Sequence, residues 1–199
     1  PVFCAGLDWS DAADATKAQA SAQWIAQMLE TVSQSRAVTI AAVHGAAIAG
    51  GAGLMSACDF VVAEESAKIG YPEVRRGLVA GLVMTFLRRQ LRERDARELL
   101  LLGEIIDAQR AKDIGLVNRV APQGSAMDAA LELANTVLKG APGALAHTKQ
   151  MLSELWPRPL ENDLAWALNH HRAVRASREA REGIAAFNEK RKPNWDNVE

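Results

Sequence analysis

The stretch Val38-Thr39-Ile40-Ala41-Ala42-Val43, continued by His44-Gly45-Ala46-Ala47-Ile48-Ala49-Gly50-Gly51-Ala52-Gly53-Leu54, decides how this chain is read. The first six residues form a short, bounded apolar run, as in a buried strand. A glycine turn follows, and Leu54-Met55-Ser56-Ala57-Cys58 continues as a buried helix start. The N-terminus of a helix presents main-chain N–H groups without intrahelical acceptors, and the helix dipole favours negative charge there. A second small-residue turn stands near the start of the chain, Phe3-Cys4-Ala5-Gly6-Leu7-Asp8. Two such turns facing each other would hold a developing oxyanion between two N–H donors. Glu73, in Gly70-Tyr71-Pro72-Glu73-Val74, is the carboxylate best placed to work beside them.

Working outward, Ala15, Ala18, Ala22, Ile25, Leu29 and Val32 recur at spacings of three and four, which predicts an amphipathic helix over 14–33. Asp59-Phe60-Val61-Val62-Ala63 reads as a strand, and Lys68-Ile69-Gly70-Tyr71 as an extended piece halted by Pro72. Residues 77–81 read as a loop, 82–91 as a helix, and 94–102 as a helix closed by Gly103. Asp107 caps a helix that runs to Ile114 and stops at Gly115, and Leu116-Val117-Asn118-Arg119-Val120 is the next strand. Strands and helices therefore alternate to about residue 120, the mark of an α/β architecture. From Ser125 helices dominate to about Glu189, with Pro142 opening one of them and Trp156-Pro157-Arg158-Pro159 breaking the run. The division expected is an α/β core over 1–140 and a helical region over 141–199. Pro1-Val2-Phe3 reads as the end of a strand entering a turn, so further strands are expected before Pro1.

Composition narrows the function class. With 199 residues, 49% of them hydrophobic, the chain suits one medium domain with a real core. A net charge of -1 argues against a nucleic-acid partner, which needs a basic face. Lys190-Arg191-Lys192 is local and reads as a solvated tail. Cys4 and Cys58 make no disulfide framework and fit a reducing, cytoplasmic setting. His44, His147, His170 and His171 lack ligand spacing, so no metal is expected, and a structural or surface role is read for all four. No apolar run approaches the ~20 residues of a membrane span.

Taken together, these motifs resemble the crotonase superfamily, the enoyl-CoA hydratase/isomerase fold. The likeness rests on five segments in order. These are the 3–8 turn, the 44–51 turn, Tyr71-Pro72-Glu73, the stretch from Asp107-Ala108-Gln109-Arg110-Ala111 to Gly115-Leu116-Val117-Asn118-Arg119-Val120, and Phe187-Asn188-Glu189-Lys190-Arg191-Lys192-Pro193. The resemblance implies a spiral of ββα turns lacking its first strands, with a C-terminal helical region used in trimer assembly, as a homotrimer or a dimer of trimers. It implies an acyl-CoA thioester as substrate and no further cofactor. Position by position, the oxyanion amides would be those of Leu7 and Gly50, with Glu73 as acid and base. Ala5 and Leu7 would lie along the CoA moiety. Phe187 and Lys190 would approach a CoA, that of a neighbouring subunit.

A thioester carbonyl held by two N–H donors has a more acidic α-carbon, and the enolate carries its charge where the donors point. A carboxylate among apolar neighbours has a raised pKa, suited to moving protons near neutrality. Gly53 departs from the family's hydratases, which carry a second glutamate there. A single glutamate resembles the arrangement of the family's enoyl-CoA isomerases, in which one base takes a proton from C2 and returns it at C4. Hydration remains open, as do decarboxylation, thioester hydrolysis and a non-catalytic acyl-CoA binder. Tyr71 is read as packing, Asp8 as capping its turn, Arg75 and Arg76 as solvated or salt-bridged, and Trp156 and Trp166 as core or interface anchors. Leu78, Val79 and Leu82 are candidate walls for the acyl chain.

Overall fold

The computed structural model describes residues 2–6, 15–154 and 160–194. Leu7, Asp8, Trp156 and the break at Pro157 and Pro159 lie outside the described residues.

The long helix α1 (Ala15–Ser33) leads to β1 (Ile40–Val43), then β2 (Ala46–Ile48) and helix α2 (Gly50–Ala57). Gly45, at φ 63, turns the chain between the two strands, a conformation open to glycine. The pattern repeats with β3 (Phe60–Glu64) and β4 (Lys68–Gly70). Here β1 pairs in parallel with β3, and β2 in parallel with β4, so successive strand pairs stack into two sheets. These are consecutive turns of a ββα spiral. A 3-10 turn (Pro72–Arg76) follows β4, then α3 (Gly81–Gln90), α4 (Glu93–Leu102), β5 (Ile105–Asp107), α5 (Ala108–Asp113) and β6 (Arg119–Ala121). The finished sheets run β1-β3-β6 and β2-β4-β5. Helices α6 (Ala126–Val137), α7 (Pro142–Glu154), α8 (Leu160–Arg175) and α9 (Arg178–Asn188) complete the described chain.

Local physics accounts for most of these boundaries. The Asp107 side chain accepts from the Arg110 amide at 2.7 Å and caps α5. Gly103, at φ 59, ends α4 as its amide reaches the Leu99 carbonyl. The last strand begins later than the sequence suggests. After Gly115, at φ 88, the amides of Leu116 and Val117 both turn back to the Ala111 carbonyl, at 2.8 and 3.1 Å. Those donors are spent on the end of α5, and pairing starts only with Arg119. Strands β2 and β5 were not foreseen as strands. Each has three residues, too few for a period-2 pattern, and β5 pairs antiparallel with β4 where Gly70 makes room for Ile105.

The main core includes Leu29, Met55, Ile69, Tyr71 and Leu87, all fully buried. Tyr71 packs as expected, and its hydroxyl meets the Ser56 hydroxyl at 2.9 Å, so burial leaves no polar atom stranded. Leu164 and Ala167 of α8 belong to the same core, which ties that helix to the sheets and to α1 and α3. Lys149 of α7 pairs with Asp59 at 2.7 Å at the start of β3.

Candidate active site

The two small-residue turns meet. Phe3 and Cys4 donate to the carbonyls of His44 and Ala46, and Ile48 donates back to Cys4. Cys4 thereby forms a parallel bridge to Ala47. Glycines allow the approach. A Cβ built on Gly51 would collide with the Cys4 carbonyl, and one on Gly6 (φ 93) would lie 3.4 Å from the Gly50 nitrogen. Residue 6 is thus packed on the start of α2.

Gly50 is the first residue of α2, where an amide has no intrahelical acceptor. The residue before it, Ala49, holds φ 53 and ψ -120. A non-glycine residue in that region is uncommon and strained. Its own amide is fixed by the Gly70 carbonyl at 2.9 Å, so the β4 end holds the twisted peptide in place.

Glu73 is supplied by the 3-10 turn. Pro72 opens this turn, and Gly77 closes it at φ 66, where Leu78 donates to the Glu73 carbonyl at 3.1 Å. Burial pushes the Glu73 carboxyl up to about 7, against the weaker opposing pull of its own backbone and of Arg76. Its Oε2 is buried with no hydrogen-bond partner. Glu73, Gly50, Ala5 and Ile48 line one cavity of about 300 Å³, whose remaining wall is mainly apolar. Leu78, Val79 and Leu82 line it, as foreseen.

The C-terminal helices close the site. A Cβ on Gly183 of α9 would collide with the Arg76 carbonyl, so α9 rests on the turn that carries Glu73. One turn further on, the Arg76 guanidinium lies 4.9 Å from the centre of the Phe187 ring, a cation–π contact. Burial lowers the Arg76 pKa, against the pull of Glu73. Arg76 is therefore part of the cavity wall, whereas Arg75 stays near the surface on the Leu102 carbonyl and Glu104. Phe187 lines the cavity of its own chain. Lys190, at φ 55, is exposed and lines neither this cavity nor its neighbour. The neighbouring cleft shares Ile48, Arg76 and Phe187 and adds Lys68, Arg75 and Arg191.

Val83, His171 and Arg175 escaped the sequence reading as wall residues. His171 and Arg175 of α8 reach the cavity, while His170 stacks on the exposed Trp166 with ring centres 3.9 Å apart. The helix face was legible, since Leu164, Leu168, His171 and Arg175 follow one another at spacings of three and four. Among the described residues no cluster of side chains suits a metal ion, and no helix is long and apolar enough to cross a membrane.

Comparison with known proteins agrees with this geometry. The enoyl-CoA hydratase/isomerase family model matches residues 1–198. A Thermus thermophilus protein assigned as an enoyl-CoA hydratase is 47% identical over 157 residues, covering 79% of this chain and 62% of that one. The chain thus spans less than two thirds of that relative. An enoyl-CoA isomerase/hydratase of Mycosarcoma maydis is 36% identical over 199 residues, covering 97% of this chain and 72% of its own. The crystal structure of an enoyl-CoA hydratase from Mycobacterium avium superposes with a TM-score of 0.85 at 35% identity, covering 97% of this chain and 74% of that chain. With paired glycine turns, a half-buried glutamate whose Oε2 is shut off from solvent and a matching family model over nearly its whole length, the chain belongs to the enoyl-CoA hydratase/isomerase family.

Proposed function

We propose that this chain processes acyl-CoA thioesters, stabilising a thioester enolate at the amides of Leu7 and Gly50 while Glu73 moves the proton. The reaction is double-bond isomerisation or hydration of an enoyl-CoA. One observation carries the proposal: the partnerless Oε2 of Glu73 in an apolar cavity shared with the Gly50 helix start. A carboxyl poised at about 7 both accepts and returns a proton near neutrality. A backbone donor at an oxyanion is worth on the order of 3 kcal/mol in the transition state. A pure acyl-CoA binder has no use for a desolvated carboxylate, which leaves that reading weaker.

Ala5 and Phe187 border the cavity and suit the thioester arm of CoA. Lys68, Arg75, Arg76 and Arg191 on the adjoining cleft suit its phosphates better than Lys190 does. The assembly we infer is a homotrimer or dimer of trimers. Exposed Met127 and Leu131 on α6, with Leu138 at its C-terminal cap, at helical spacing, support a covered face. Incubation with 2-enoyl- and 3-enoyl-CoA in heavy water tests the reaction. Deuterium at C2 or C4 without added oxygen means isomerisation, and a hydroxyl at C3 means hydration. Bound substrate with neither outcome would overturn the proposal.

A further inference from the structure

The cavity wall is apolar except at Glu73, Arg76, His171 and Arg175. Glu73 has its task in proton transfer, and Arg76 lies on the Phe187 ring. His171 has no task in that scheme. It comes from α8 and packs against the start of α3, its Cβ 3.7 Å from where a Cβ on Gly81 would stand. Gly81 and His171 are thus neighbours, and both line the cavity with Val79 and Leu82, the walls expected to hold the acyl chain. Arg175, one turn further along α8, lines the same cavity.

Burial first, and then the Arg175 charge, lower the His171 pKa, against the backbone of Val79. The ring is therefore neutral near pH 7; its N–H donates to the Val79 backbone, which leaves one acceptor nitrogen. A plain hydrocarbon chain filling this cavity would bury that nitrogen without a donor, which is unfavourable. A carboxylate supplies no donor for it. A hydroxyl does. Few polar groups in an otherwise apolar pocket are what set orientation and specificity.

We propose that His171 makes the cavity selective for acyl groups bearing a hydroxyl over the unsubstituted chain of the same length. The inference rests on the acyl-CoA reading above and names its substrate class. Calorimetric titration of the intact protein with butyryl-CoA, its 3-hydroxy and 4-hydroxy derivatives, and glutaryl-CoA tests it. At least one hydroxy derivative should bind about tenfold or more tighter than butyryl-CoA, since sites built for a hydrogen bond reject analogues lacking it. His171→Leu should bring that ratio close to one and improve butyryl-CoA binding. His171→Asn, which keeps a donor and an acceptor, should preserve part of the ratio and serves as the second variant where leucine disturbs folding. Equal binding of all the thioesters, a preference for glutaryl-CoA, or a hydroxyl preference untouched by both variants would each overturn the inference while leaving the acyl-CoA reading intact. Failure of folded protein to bind any thioester would remove that reading and the inference with it.

Discussion

Val83 occupies the space that a side chain on Gly53 would need. A Cβ built on Gly53 overlaps Val83 Cγ1 and lies 3.1 Å from Val83 Cβ, with Leu29 Cδ2 behind it at 3.9 Å. Gly53 is buried and does not line the cavity, whereas Val83 does. The place where the resemblance would set a hydratase's second glutamate is thus screened by a β-branched side chain that has little freedom to turn away.

Gly53→Glu alone should therefore not create a hydratase. We expect it to destabilise the fold by about 1–3 kcal/mol through overpacking, before counting the buried charge. Pairing it with Val83→Gly should recover much of that loss. Thermal unfolding of both variants, alongside hydration rates, checks this. A well-folded single variant with raised hydration would contradict it.

Glu73→Gln should keep CoA thioester binding and lose most turnover. In the unmodified protein, kcat/KM for proton abstraction should rise with pH through about 7, as the carboxyl ionises. A pH–rate profile that is flat between pH 6 and 8, with undiminished activity in the variant, would remove Glu73 from the chemistry.

The same carboxyl makes stability depend on pH. Its folded pKa is raised from 4.5 to about 7, so between those values the folded chain binds the proton more tightly than the unfolded one. Its contribution is full below about 4.5, falls as pH rises to 7, and is lost above that. At about 1.4 kcal/mol per unit, the loss is on the order of 3 kcal/mol. Glu73→Gln should be the more stable protein at pH 8, and the gap should close toward pH 4.5 in denaturant titrations.

Two glycines hold the site by having no side chain. Gly51→Ala should push Cys4 away from α2, and Gly183→Ala should lift α9 from the Arg76 carbonyl. Each should weaken folding by about 1–3 kcal/mol. The first should depress kcat through the oxyanion turn, and the second should shift the Glu73 pKa. Pre-steady-state rates and the pH profile distinguish the two.

Much of the layout is legible along the chain because it is local. The glycine turn before α2, the Asp107 cap, the Gly103 stop and the buried strands each follow from a few adjacent residues. Glu73 was legible through Pro72 and the motif around it. Its raised pKa was expected, but the cause lies in the distant segments that bury it. The helical signature of α8 was readable, yet the side of the cavity it would line was not. Hence the sequence gives His171 only a structural or surface role.

By itself, the sequence determined the α/β order, the two glycine turns and the lone carboxylate, because backbone conformation and hydrophobic period are written in neighbouring residues. The tertiary structure alone decided that residue 6 rests on Gly50, that Val83 fills the place beside Gly53, and that α8 and α9 wall the cavity with His171 and Phe187. These are contacts between segments tens of residues apart, and their existence depends on how helices pack against sheets rather than on any local spacing.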